Sequence, residues 1–171
     1  YEERVLEEMW MGMIHLEEIT NKNIWKVCTL EVMEGQKNFV ADNIQSLAEA
    51  FATRNEGNHA LPLAVYNDED LIGFVMIGKG TVGNENESEL IRNNYSLWRL
   101  MIDQKYQGKG LGKMTLEVAI NFIKTYPFGP AAQVWLSYEP ENTHAIELYH
   151  KFGFVENGEM CGSETVAVYN L

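Results

Sequence analysis

Twenty-five acidic side chains against thirteen basic ones give these 171 residues a formal charge of −12, which excludes a surface built to hold nucleic-acid phosphates. The composition is 46% apolar with interspersed charge, so it belongs to a folded domain and not to a disordered segment. No apolar run is long enough to span a bilayer, and the acidic start lacks the pattern of a secretion signal; the expectation is a cytoplasmic protein without a membrane partner.

Residues 1–12 read as an N-terminal extension, native or left from cloning, ahead of one domain over 13–171. Residues 13–20 alternate apolar and polar as a strand does. Asn21 or Asn23 caps a short helix to about residue 30, and a second helix over 40–53 carries Ile44, Leu47, Ala48 and Phe51 at helical spacing. Residues 61–66 and 71–78 flank an Asn67-Asp-Glu-Asp turn and predict a hairpin. Residues 79–94 read as a long polar surface loop, with Glu85, Glu87 and Glu89 as a candidate acidic rim for a cationic ligand. A strand follows over 95–102, then a helix over 110–126 stopped by Pro127 and Gly129. A strand over 133–138 precedes a helix over 142–152 closed by Gly153, and two strands over 154–160 and 165–170 end the chain. This order predicts a mixed α/β sheet domain.

Cys28 and Cys161 lie far apart without a C-x-x-C pair and read as reduced structural thiols. His15, His59, His144 and His150 match no metal-binding spacing, so no metal site is expected.

The strand over 95–102 runs into three alternate glycines, Gly108, Gly110 and Gly112, that open the next helix. Glycines admit close backbone approach, and the first helical turn offers unpaired N–H groups at the positive end of the dipole. That combination suits a phosphate or pyrophosphate, and Lys109 and Lys113 add local positive charge. The P-loop spacing is absent, and the dinucleotide fingerprint would need glycine where Lys113 stands. A plain helix-capping loop is the competing reading of these residues.

Gln107-Gly-Lys-Gly-Leu-Gly112 resembles the Q/R-x-x-G-x-G/A motif of the GNAT acyltransferase superfamily, and residues 142–154 resemble its second signature, N-x-x-A-x-x-L-Y-x-x-x-G-F. Within that superfamily the chain looks most like bacterial spermine/spermidine acetyltransferases. The resemblance implies a mostly antiparallel central sheet, flanked by helices and splayed between its fourth and fifth strands. It also implies an N-acetyltransferase that uses acetyl-CoA without a metal. The pantetheine arm would lie in the gap near the backbone of Met101 and Ile102. Gln107, Gly108, Lys109, Gly110, Leu111, Gly112 and Lys113 would hold the pyrophosphate, and Asn142 would touch the pantetheine side. A homodimer is expected by analogy alone.

Acyl transfer from a thioester to an amine needs a neutral amine, a polarised carbonyl and a stabilised leaving thiolate. By the resemblance, Tyr149 is the general acid near the sulfur, and a phenol is chemically able to donate there. The polyamine acetyltransferases carry an acid on the fourth strand where this chain has Trp98, and an indole cannot accept a proton. Glu139 is the candidate base acting through water, with Glu31 and Glu34 as further candidates near the substrate. Trp98 itself is either core or a platform for a cationic or aromatic amine. Simple alternation pairs Trp98 with Leu100 on one face and Arg99 with Met101 on the other. A polyamine is the favoured acceptor, an aminoglycoside-like antibiotic or other amine remains open, and a non-catalytic acyl-CoA sensor is the rival class.

Overall fold

The computed structural model describes residues 14–80 and 88–171. The extension over 1–12, together with Glu85 and Glu87 of the expected acidic rim, lies outside the described residues.

Seven strands form one sheet in the order β1-β2-β3-β4-β5-β7-β6. β1 (Ile14–Glu18), β2 (His59–Asn67), β3 (Asp70–Lys79) and β4 (Tyr95–Ile102) are successive antiparallel neighbours. β5 (Gln133–Tyr138) runs parallel to β4, and β7 (Glu164–Asn170) pairs antiparallel with both β5 and β6 (Val155–Cys161). The helices are α1 (Ile24–Cys28), α2 (Asn43–Asn55), α3 (Glu89–Asn93), α4 (Leu111–Ile123) and α5 (Thr143–Phe152).

The sheet separates two cores. On one side α4 buries Leu111, Leu116, Ala119, Ile120 and Ile123, a stripe at helical period, against Val75, Ile77, Leu97 and Val134. On the other side Val27 of α1 and Ala50 of α2 meet Ala64, Phe74, Met76 and Met101. Each fully buried aliphatic side chain contributes about 1.5–3 kcal/mol, so both layers hold the sheet between them.

The face of α2 differs from the sequence reading. Its buried stripe is Asn43, Ser46, Ala50 and Thr53, while Ile44 and Phe51 are 61% and 69% exposed. Small and polar residues face inward because two of them are bonded there. Asn43 donates to the Val27 carbonyl at 2.9 Å, and the Ser46 hydroxyl donates to the Asp42 carbonyl at 3.0 Å. Asp42 caps the helix through the Gln45 N–H.

The loop expected over 79–94 is also shorter than read. Lys79 ends β3, and α3 occupies its far end with Ser88 as the cap. α4 stops at Ile123, three residues before the expected end, and its last carbonyls accept from Lys124 and Thr125.

β4 breaks the alternation rule at Trp98. Met76 pairs with Arg99 and Ile77 with Leu97, which leaves Trp98 as the extra residue of a β-bulge. The bulge puts Trp98 on the same side as Arg99 and Met101, with Leu100 opposite; the face assignment made by simple alternation fails by this one residue. The Arg99 guanidinium lies 5.7 Å from the Trp98 ring centroid, which two residues on opposite faces could not achieve. Gly78 of β3 makes room here, since a Cβ there would lie 2.7 Å from the Ser96 hydroxyl and 3.5 Å from the Trp98 ring.

Candidate active site

The parallel pairing of β4 with β5 covers only Tyr95 with Val134 and Ser96 with Trp135. The bulge at Trp98, a feature that bends the strand carrying it, follows two residues later. Beyond that point the two strands enclose a cavity of about 610 Å³, of the size that takes a cofactor or small molecule. It is lined from β4, β5, the glycine loop and α5, so it passes through the sheet from one core layer to the other.

The glycine loop is fastened at its base. Asp103 is 6% exposed; its carboxylate accepts from the N–H groups of Glu31 and Lys105, and its own N–H donates to the Ile72 carbonyl at 2.8 Å. The Gln107 side chain donates to the Ile102 carbonyl at 2.9 Å and exchanges amide bonds with Gln36. It therefore braces the loop and leaves the main chain to face a ligand. Gly108 and Gly110 both sit at φ +76°, where side-chain-bearing residues are strained. Gly110 is the N-cap of α4, so the N–H groups of Leu111 and Gly112 have no preceding turn to donate to. Gly108, Gly110, Leu111, Gly112 and Lys113 line the cavity, whereas the Lys109 ammonium lies over the Tyr106 ring at 5.7 Å. Together these groups fit a pyrophosphate by main-chain donors, helix dipole and a cation.

Gly112 differs from its two neighbours. Its φ is ordinary, and an added Cβ would meet Leu148 at 3.9 Å, a normal contact. Gly112→Ala is expected to raise the melting temperature by up to about 2–4 °C, from the ~1 kcal/mol helix penalty of glycine. Thermal unfolding checks this, and a lowered melting temperature would contradict it.

Met101 and Ile102 both line the cavity, with different roles for their carbonyls. That of Met101 lies against Gly73 on β3, while that of Ile102 accepts from Gln107. Asn142 also lines the cavity and caps α5 through the Ala145 N–H at 3.4 Å. At the other end of α5, Gly153 adopts φ 118°, and its N–H closes on the Tyr149 carbonyl at 3.1 Å.

With both ends of α5 fixed, Tyr149 is held in place in the cavity wall. It stacks on Tyr138 at 6.2 Å and meets Phe154 edge-on at 5.8 Å. Burial pushes its phenol up to about 12. No described residue hydrogen-bonds its hydroxyl, so the proton is available to a ligand. Tyr138 is also raised, by burial and by the Glu156 carboxylate to which it donates at 2.8 Å.

The carboxylates chosen from sequence stand elsewhere. Glu139 accepts from the Ser163 hydroxyl at 3.2 Å and is not among the residues around the cavity. Glu31 is exposed and tied to the loop by its main chain, and Glu34 pairs with Lys37 at 2.7 Å; neither lines the cavity. Trp98 does line it, on the side of α1 and α2.

Sequence reasoning missed Arg99, Trp135, Ser137 and Glu164, all in the cavity wall. Strand period would have found two of them, because Trp135 and Ser137 alternate with the buried Val134, Leu136 and Tyr138. Arg99 pairs with Glu49 at 2.9 Å; burial lowers its pKa, and Glu49 and then Glu164 oppose that shift. Ser137 donates to the Glu164 carboxylate. Among the described residues, no cluster of His, Cys, Asp or Glu could hold a metal ion, and no helix is long and apolar enough to cross a membrane.

Comparison with known proteins agrees with this geometry. Residues 11–154 match the acetyltransferase (GNAT) family. The spermine/spermidine N(1)-acetyltransferase of Bacillus subtilis is 32% identical over 149 residues, 86% of this chain and 91% of its own. An aminoglycoside acetyltransferase crystallised with coenzyme A superposes with a TM-score of 0.74 at 15% identity, over 92% of this chain and 94% of its own. The spermidine N-acetyltransferase of Vibrio cholerae, in complex with CoA and spermine, gives 0.65 at 18% identity over 93% and 96%. The chain belongs to the acetyltransferase (GNAT) family and is an N-acetyltransferase that uses acetyl-CoA.

Proposed function

We propose that this N-acetyltransferase acetylates a primary amine of a polyamine of the spermine and spermidine class. The observation that carries this reading is the relation to the Bacillus enzyme over most of both chains. The acceptor side of the cavity supports it. The Glu164 carboxylate lines it, Arg99 there is already paired with Glu49, and Trp98 and Trp135 supply aromatic walls for an alkyl ammonium. The charge of −12 draws polycations from solution, provided that ionic strength is low.

Acetyl-CoA supplies a thioester whose acetyl carbon accepts an amine and whose sulfur departs as a thiolate. The N–H groups from Gln107 to Lys113 hold the pyrophosphate, and Asn142 meets the pantetheine side. Tyr149 faces the sulfur from α5. With its pKa at about 12 it is in the donor form at neutral pH. A thiol ionises near 8.5, so complete proton transfer from Tyr149 alone is uphill by several kcal/mol. Its contribution is a hydrogen bond to sulfur that strengthens as the C–S bond lengthens.

An acceptor panel with acetyl-CoA, read as free thiol, tests the assignment. Spermidine and spermine are expected to give the highest kcat/KM, above kanamycin, simple diamines and a peptide with an N-terminal alanine. A higher value for kanamycin would transfer the assignment to aminoglycosides. Acetyl-CoA binding without thiol release on every amine would favour the sensor reading, which family membership and the retained Tyr149 oppose.

A further inference from the structure

The β4 position expected to carry a base holds Trp98, and Glu139 is engaged with Ser163, yet another carboxylate does reach the cavity. Glu164, the first residue of β7, lines it and accepts from the Ser137 hydroxyl. Its second carboxylate oxygen has no hydrogen-bond donor among the described residues.

The mounting of this group matters. Ser137 and Tyr138 are consecutive on β5 and face opposite sides of the sheet. Tyr138 packs on Tyr149, while Ser137 holds Glu164. Both contacts fall just past Trp135, where pairing with β4 has ended. A proton donor and a carboxylate are thus presented from the two faces of the sheet to one opening. The other titratable groups around the cavity are Lys37, Arg99 with its partner Glu49, Tyr106, Lys113, Tyr138, His144, Tyr149 and Cys161. Arg99 is already paired with Glu49 and Lys37 with Glu34, so neither holds the Glu164 carboxylate in an ion pair.

Building on the acyl-transfer reading above, we infer that Glu164 is a catalytic residue that anchors the acceptor ammonium and takes its proton. One proton passes from the ammonium to Glu164 and on to solvent, which frees the nitrogen lone pair. The N–C bond forms as the C–S bond breaks, with the C–S pair leaving on sulfur. The thiolate leaves hydrogen-bonded to Tyr149 and takes up the second proton lost by nitrogen. Amide, thiol and one released proton balance the reaction.

Glu164→Gln keeps the shape and the Ser137 contact and removes the charge. It is expected to lower kcat/KM for spermidine about 100-fold at pH 7, typical of losing a general base. The deficit should shrink below tenfold toward pH 10, where amines of pKa about 10 become neutral unaided. Calorimetry without acetyl-CoA should show weaker spermidine binding, while acetyl-CoA affinity stays within twofold and certifies the fold. A kcat/KM within threefold of wild type, or a deficit constant with pH while acetyl-CoA still binds, would overturn the role. If Glu164→Gln cannot bind acetyl-CoA, Ser137→Ala decides. Losing the hydroxyl that holds Glu164 must lower kcat/KM for spermidine by about tenfold or more while acetyl-CoA affinity is kept, and an unchanged kcat/KM refutes the inference. Wild-type protein inactive on all amines would sink the acyl-transfer reading instead, so the two failures are distinct.

Discussion

Replacing Tyr149 with phenylalanine is expected to cut kcat by about 100-fold or more and leave acetyl-CoA affinity within twofold. The ring's packing against Tyr138 and Phe154 survives the change, because only the hydroxyl is lost. That hydroxyl bonds to no described residue, so no buried partner is stranded. Steady-state kinetics with the best acceptor, together with calorimetry on acetyl-CoA, separates the two quantities. Unchanged turnover would remove Tyr149 from the chemistry. A stability signature accompanies it. The folded-state pKa of about 12 lies above the ordinary 10.0, so the folded state favours the protonated phenol. The stability this contributes is complete below pH 10 and is lost as pH rises through 12. Tyr149→Phe should therefore lose less stability than wild type across that alkaline window in denaturant titrations.

Gly110→Val is expected to weaken acetyl-CoA binding by about tenfold or more. Open space surrounds the Cβ position, so a clash within the protein is not the cause. The cause is torsional, since a β-branched residue at φ +76° carries strain of about 1–3 kcal/mol. The loop can relieve that strain only by moving the helix cap, which turns the first N–H groups away from the phosphates. Tenfold in affinity corresponds to 1.4 kcal/mol, which lies within the strain available. Calorimetry reads the constant directly, and Gly112→Ala, at an unstrained position of the same loop, is the control. Equal affinity for Gly110→Val and wild type would refute the cradle.

Much of this site was legible from sequence where signals were local. Short apolar runs marked β4 and β5 with the bounds observed, and the spacing of the glycines pointed to a helix start. Signals that depend on distant partners were not legible. Glu164 matters because β7 docks on β5 in one register and brings it to Ser137, 27 residues earlier. Asp103 reads as an ordinary loop acid until its bond to the Glu31 N–H, 72 residues away, is known. The inward face of α2 misled for a similar reason. Its apolar residues satisfy a helical period, yet the hydrogen bond from Asn43 to the Val27 carbonyl belongs to the buried stripe. Glu139 was chosen for its place after β5 and proved to be occupied by a serine hydroxyl.

Counting along β4 gives Trp98 a special status. Delete it on paper, and Arg99 still sits across from Met76, Leu97 across from Ile77, and no other side chain changes layer. The ladder to β3 has no use for this residue. The cleft in the sheet is thus encoded as one surplus letter within an otherwise regular stretch. Shortening the strand by that letter should be gentler on folding than on catalysis, the reverse of what a half-buried tryptophan ordinarily implies.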